Sequence, residues 1–320
     1  MISNFNHRPG YEGNNPILVI GFLRSDALRI LLESLPISQK RVYISIDGPR
    51  NYREKALVEA SIAVAKEFQS IRIGTEVEIR TNLRNLGCKY GIFSAIDWAF
   101  ENEQSLIILE DDIVITKEFL EFVDWGLKEY QNSKEIWQIN GWSPLRVEHG
   151  IRNPYLSIFA YGWGWATWKD RWNQIDLELE KYNSADVRKL PGLKHVKLSS
   201  RFNKWWSDKL SRCKEGLDTW DYQWNFSMWI HGGASLSPSL SLTGNVGFDE
   251  LATHTKIAHN NRDKMPVDSH KMTVSNYFVP EFNAKADKVC AKVNMGIDKS
   301  LPTRIQIRIK RHLVNRAKIE

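Results

Sequence analysis

The sequence predicts an α/β protein with a doubly wound, mostly parallel central sheet and helices on both faces. The first observation is order: between Pro16 and Asn140, short apolar runs closed by turn residues alternate with longer stretches of helical periodicity, the pattern of repeated βαβ units. The second is the run Leu106-Ile-Ile-Leu109, apolar at every position rather than at alternate ones, as a strand covered on both faces requires. Size is the third. A chain of 320 residues, 42% hydrophobic and 26% charged, has the length and composition to bury a sizeable core.

The first predicted strand is Pro16-Ile-Leu-Val-Ile-Gly21. Ser25 and Asp26 can cap the helix after it, whose Leu28, Leu31, Leu32 and Leu35 share one face before Pro36 stops it. A second strand over 41–48 ends at Asp47 and Gly48, and an amphipathic helix over 54–68 leads to a third strand near 77–80. A helix over 91–101 precedes the apolar strand that ends in Glu110, and a helix over 117–130 follows it, with Thr116 and Glu118 suited to its cap. Residues 135–140 supply a further strand. Beyond Asn140 the texture becomes aromatic: eleven of the thirteen tryptophans fall between Trp137 and Trp229. Here the sequence predicts a strand over 155–160, a glycine-aromatic loop over 161–166 leading to a helix, a helix over 224–230 and a turn-rich segment over 242–247.

Chemistry concentrates at the end of the apolar strand. Glu110, Asp111 and Asp112 are three consecutive carboxylates that repel one another, and an ionised group left unpaired near a low-dielectric core is costly. A hard divalent ion, Mn²⁺ or Mg²⁺, prefers such oxygen ligands and completes its shell with water and phosphate. The triplet therefore reads as a metal-diphosphate site, or alternatively as a solvated acidic turn capping the next helix. Ligands in doubly wound sheets bind outside the carboxyl ends of the strands, which places Arg24, Asp47 and the triplet on one edge. A nucleotide there would meet Asp47 with its base or ribose, Arg24 with a phosphate and the triplet through a metal. Singly, Arg24 can equally be a surface arginine and Asp47 a turn residue.

The tryptophans can be core, or can wall a ligand site, since their flat faces suit sugar rings. In Tyr161-Gly-Trp-Gly-Trp-Ala166 two glycines allow close backbone approach to a ligand, or simply a tight turn. Asp221, set among Thr219, Trp220, Tyr222 and Trp224, suits general-base work or a helix cap. His254 can ligate a metal, donate to phosphate or be structural.

Composition excludes several classes. No apolar run is long enough for a membrane span, and residues 1–15 are polar, with no signal-peptide core, so a cytoplasmic location is expected. Cys88, Cys213 and Cys290 are odd in number and widely spaced, which suggests neither a zinc site nor a disulfide framework. The net charge of +6 gathers in 303–320, where Arg304, Arg308, Lys310, Arg311, Arg316 and Lys318 face Glu320 alone. On a helix Ile305, Ile309 and Leu313 would form an apolar stripe, giving peripheral contact with the inner face of a membrane; the alternative is a solvated tail. No nucleic-acid motif accompanies it.

Pro16 to Ile20 with Arg24-Ser25, Ile46-Asp47, Leu109-Glu-Asp-Asp112, Gly162-Trp-Gly-Trp165 and Trp220-Asp221, in this order and spacing, resemble the catalytic domain of N-acetylglucosaminyltransferase I. Bacterial enzymes of surface-polysaccharide assembly that share this core are similar too. The resemblance spans 16–255 and implies a GT-A fold: a nucleotide-sugar half over 16–140 and an acceptor half over 141–255, between extensions at 1–15 and 256–320. It implies an inverting glycosyltransferase moving N-acetylglucosamine or another hexose from a UDP-sugar to a glycan or lipid-linked saccharide. By the same resemblance Asp112 binds Mn²⁺ (or Mg²⁺), Glu110 and Asp111 hold ribose and donor sugar, Arg24 a phosphate and Asp47 the uracil. Gly164 and Trp165 belong to the loop that shapes the site, Asp221 is the catalytic base, and His254 matches a histidine for metal or phosphate. Residues 172–220 and those past 255 depart from the pattern, so the acceptor does not transfer. Two alternatives stand beside this: a sugar-phosphate nucleotidyltransferase, although Gly21-Phe-Leu-Arg-Ser25 is not the glycine-rich loop such enzymes carry, and a carbohydrate-binding relative without catalysis.

Overall fold

A computed structural model describes residues 15–145, 149–151, 153–182, 186–247 and 279–294. Four parallel strands make one side of its sheet: β1 (Ile17–Gly21) lies between β2 (Arg41–Ile46) and β4 (Ser105–Glu110), and β3 (Glu76–Thr81) lies outside β2. The other side continues from β4 through β8 (Trp165–Trp168), β6 (Ile136–Asn140) and β9 (Ala234–Ser237) to β7 (Tyr155–Ser157), completing eight strands. β6 and β9 are parallel, whereas β8 runs antiparallel to both its neighbours and β7 antiparallel to β9. Both halves of the chain thus share one mostly parallel sheet.

Alternation along the strands builds a core on each face. Ile17 and Val19 of β1 and Ile107 and Leu109 of β4 pack with the apolar stripes of α1 (Ser25–Ser34), α2 (Lys55–Ile71) and α4 (Lys117–Glu129). Leu18, Leu106 and Ile108 pack on the opposite face with α3 (Gly87–Ala99), α6 (Ser200–Lys214) and α7 (Asp221–Ile230). At about 1.5–3 kcal/mol for each fully buried aliphatic side chain, these two layers are the main force that holds the strands' register.

Several local expectations change. Ser25 and Asp26 lie inside α1, and the capping position is Arg24, whose side chain makes no cap bond. Thr116 does cap α4, its hydroxyl accepting from Phe119 N at 3.2 Å. The apolar residues after the acidic triplet form a separate strand, β5 (Ile113–Ile115), and the segment read as turn-rich forms β10 (Thr243–Asn245), which pairs antiparallel with β5. The glycine-aromatic loop leads into strand β8 instead of a helix, because β8 fills the space between β4 and β6; only the four-residue α5 (Lys169–Trp172) follows. Most of the tryptophan cluster is core: Trp137, Trp165, Trp172, Trp206, Trp224 and Trp229 are among the largest fully buried side chains. Among the described residues no helix is long and apolar enough to cross a membrane, and the basic tail at 303–320 lies outside them.

Residues of the expected C-terminal extension dock on the sheet edge. Leu156 N donates to Glu281 O at 2.9 Å, and α8 (Ala284–Asn294) buries Ala286 and Cys290 beside β7. Asp287 is 2% exposed there, with Ser157 Oγ donating to it at 2.6 Å. Burial pushes its carboxyl up to about 7, against the pull of Ser157 and Ile158 N. The folded carboxyl therefore keeps its proton up to about pH 7, whereas the unfolded one releases it near 4, so stability falls as pH rises between those values. Asp287→Asn should be more stable than the natural chain at pH 8 by on the order of 2 kcal/mol, with the difference vanishing toward pH 4 in urea denaturation.

Candidate active site

β1 and β4 are neighbours, but the chain leaves them toward opposite sides of the sheet: β2 lies beyond one and β8 beyond the other. Ligands of such sheets bind outside the carboxyl ends at a switch in strand order. Phe22, Leu23 and Arg24 follow β1 at that edge, and Glu110, Asp111 and Asp112 stand at the end of β4. Asp111 N donates to Ile20 O at 2.9 Å, so the first aspartate continues the ladder and its position is set by the sheet. Its Oδ2 accepts from Phe22 N at 2.9 Å, and its Oδ1 accepts from Arg24 Nη1 at 3.2 Å. The same Nη1 donates to Asp112 Oδ2 at 3.0 Å, so one guanidinium bridges both aspartates.

The ribbon of β5 and β10 closes this cluster from the far end of the chain. Val246 N donates to Asp112 O at 2.9 Å and Asn245 Nδ2 donates to Asp112 Oδ1 at 3.1 Å. Arg24 Nη2 reaches Gly247 O at 3.4 Å. A Cβ on Gly247 would lie 2.0 Å from Asp112 Oδ2, so only glycine permits the approach. Sequence reasoning missed Asn245 and Gly247, and no signal in 242–247 marks a partner more than 130 residues away.

Electrostatically the cluster gathers negative charge. Asp111 and Asp112 are 5% and 9% exposed, and among the described residues the Arg24 guanidinium pairs with both. Glu110 is pushed well above the usual carboxylate range, first by burial and then by the charges of Asp112, Asp111 and Asp221. Asp111 is pushed up by burial and by Asp112, with Arg24 and Phe22 N pulling it back. Charge and donor type fit a hard dication bound through one or two carboxylates, the remaining ligands coming from water and phosphate. They do not make an all-protein cage. Among the described residues no three His, Cys, Asp or Glu side chains form a metal-holding group, and His254 lies outside them.

Asp221 opens α7 beside this cluster, within reach of Glu110's charge. Its Oδ1 accepts from the Thr219 hydroxyl and from Tyr222 N, the latter at 2.9 Å. Asn225 Nδ2 donates to Asp221 O at 2.9 Å and Asn225 Oδ1 accepts from Ala160 N at 3.0 Å, tying the start of α7 to the segment that enters the glycine loop. Gly162 stands between Trp220 and Glu110: a Cβ there would lie 3.3 Å from the indole and 3.7 Å from Glu110 Oε1.

The remaining predicted residues have structural partners of their own. Gly164 takes φ +75°, with Thr243 Cγ2 only 2.9 Å from where a Cβ would be, so the glycine serves loop packing against β10. Trp165 is 1% exposed and stacks behind Trp220 at 5.2 Å between ring centroids, so its indole is part of the core. Asp47 lies at the predicted edge, but its carboxylate accepts from Gly48 N, Asn82 Nδ2, Asn85 Nδ2 and Leu86 N at 2.8–3.1 Å. Its visible work is to fold the loop before α3. Partly exposed aromatics do flank Asp221: Tyr222 and Trp205 meet edge to face at 5.9 Å, with Lys209 Nζ over both rings at 5.0–5.3 Å.

No family model and no curated relative matches the sequence. Solved structures that match part of the chain are distant. GalNAc-T7 with UDP, GalNAc and Mn²⁺ has a TM-score of 0.41 and 14% identity, over 73% of this chain and 44% of that one. UDP-glucose pyrophosphorylase complexed with UDP-glucose has a TM-score of 0.36 and 7% identity, over 70% and 89%. Mouse xyloside xylosyltransferase 1 in its apo form has a TM-score of 0.33 and 10% identity, over 67% and 80%.

Proposed function

We propose that this protein is an inverting glycosyltransferase that takes a hexose, with N-acetylglucosamine the first choice, from a UDP-linked donor to a glycan or lipid-linked saccharide. One observation carries the reading. Three carboxylates and a guanidinium meet at the switch point of the sheet, and a further carboxylate, Asp221, stands within range of them.

The chemistry follows from these groups. Asp221 Oδ1 is engaged by its own turn, while Oδ2 takes no hydrogen bond from the described residues and is placed to accept a proton. As an acceptor hydroxyl loses its proton to Asp221, its oxygen attacks the anomeric carbon, and the bond to the diphosphate breaks with its electron pair leaving on the diphosphate oxygen. A single displacement inverts the centre, so an α-linked donor gives a β-linked product. Arg24 stabilises the departing anion. Asp112 would hold a Mn²⁺ or Mg²⁺ ion, with Glu110 and Asp111 directed to ribose and donor sugar, and the ion would supply further positive charge to the leaving group. Trp205 and Tyr222 offer flat faces for an acceptor saccharide beside the base.

In this account Arg24 is the resident counter-cation of the aspartate pair. Arg24→Met should lose about 3 kcal/mol of stability in metal-free buffer, because removing one partner leaves buried charge uncompensated, and Mn²⁺ should restore part of it in thermal denaturation.

Thermal-shift screening against UDP-, GDP-, dTDP- and CMP-sugars with and without Mn²⁺ identifies the donor, since a ligand at 100 times its Kd adds about 2.7 kcal/mol. UDP sugars with Mn²⁺ should give the largest shift, and turnover should release UDP; release of pyrophosphate from UTP and a sugar 1-phosphate would instead mark a nucleotidyltransferase. Asp221→Asn should lower kcat about 100-fold or more at unchanged donor affinity.

A further inference from the structure

Two carboxylates from opposite halves of the chain grip the start of α3. Asp47, at the end of β2, accepts from Leu86 N at 3.1 Å through both oxygens. Asp218, 130 residues beyond Cys88, accepts from Cys88 N at 3.0 Å and from Lys89 N at 2.7 Å. These are first-turn amides that have no partner within the helix, so a carboxylate arriving from another element satisfies them and complements the helix dipole. Gly87 makes the approach possible: its φ is +76°, and a Cβ there would lie 2.7 Å from Asp218 Oδ2.

Asp218 stands three residues before Asp221, and the chain between them has little freedom. Thr219 N donates to Leu217 O at 2.9 Å, the Thr219 hydroxyl donates to Asp221 Oδ1, and Trp220 stacks on Trp165. Cys88 marks how near the helix start comes to the chemistry: its thiol is pushed up by burial and then by the charges of Glu110, Asp221 and Asp218. The turn that carries Asp221 is thus fastened at one end to the helix that Asp47 fixes to β2, and at the other to α7.

We propose that Asp218 is a positioning residue for the general base. By capping α3 it holds the 217–221 turn so that Asp221 faces the acidic end of β4, and it ties the acceptor side to the same helix start that Asp47 organises on the donor side. The inference rests on the glycosyltransferase reading of Asp221. An Asp218 that only stabilises α3 would contribute a cap's worth of stability, about 0.5–2 kcal/mol, and nothing to the rate constant.

The test compares Asp218→Ala, Asp218→Asn and Ser199→Ala, the last removing an ordinary cap, from α6, at similar cost in stability. UDP release from UDP-N-acetylglucosamine with Mn²⁺ is the readout. Asp218→Ala should lower kcat about tenfold or more with KM for the donor within twofold, since small misplacements of a reacting group are costly. Asp218→Asn, which can still accept from the helix amides, should recover part of the loss, and Ser199→Ala should leave kcat unchanged. Added to Asp221→Asn, Asp218→Ala should cause no further loss, because both act through one group. Full kcat in Asp218→Ala together with loss in Asp221→Asn overturns the positioning role and leaves the parent reading intact; full turnover in Asp221→Asn removes the parent reading itself. Amide hydrogen exchange over 217–222 decides without turnover: faster exchange in Asp218→Ala supports the role, and unchanged exchange overturns it.

Discussion

The bridge from Arg24 to Asp111 and Asp112 is the interaction on which the site depends. It joins the end of β1 to the end of β4 across the switch in strand order, and through Asn245 and Gly247 it fastens the β5–β10 ribbon to both. Buried ion pairs are poor sources of stability, because desolvation offsets most of the attraction and apolar residues of similar volume often do as well. Two buried aspartates on one guanidinium, with Glu110 beside them, are worse in that respect. Such an arrangement makes physical sense at a place that receives further positive charge or a polyanion carrying it, which is what a metal-bound diphosphate would bring.

The aromatic half has a different job from the one its composition suggests. Trp165, Trp172, Trp220 and Trp224 pack on one another with ring centroids 5.2–6.5 Å apart, forming the floor under the start of α7. Buried polar groups then fix the loop above: Gln138 Nε2 donates to Tyr161 O at 2.7 Å, Trp224 Nε1 donates to Gln138 Oε1 at 2.6 Å, and Asn140 Nδ2 donates to Phe159 O at 3.0 Å. A saturated network of this kind rigidifies its surroundings. It holds Gly162 between Glu110 and Trp220, so the acidic end of β4 and the start of α7 are positioned together.

What the sequence disclosed was local. Consecutive apolar residues at 17–19 and 106–109 announce strands buried on both faces, and the acidic triplet's place at the end of β4 needs only the length of that run. Arg24, Asp47 and the triplet share an edge because parallel strands all end on one side. The missing parts are tertiary. β8 enters between β4 and β6 out of sequence order, and Trp165-Ala-Thr-Trp168 carries no sign of it. Asp47 reads as a nucleotide contact from its position, and the sequence does not show that its oxygens also accept from Asn82, Asn85 and Leu86, whose arrival depends on how the loop folds back. Asp218 looks like one more surface acid until α3 is seen to begin on it. Tryptophan is ambiguous for a simpler reason, since the same large flat ring serves a core and a sugar site, and only burial separates them.

A crystal of the protein soaked with UDP and Mn²⁺ tests the central claim most directly. The account predicts the diphosphate and the ion at the carboxyl ends of β1 and β4, in contact with Arg24 and Asp112 and facing Asp221. UDP bound at another surface, with the Arg24 bridge and the carboxyl ends of β1 and β4 unchanged, would contradict it.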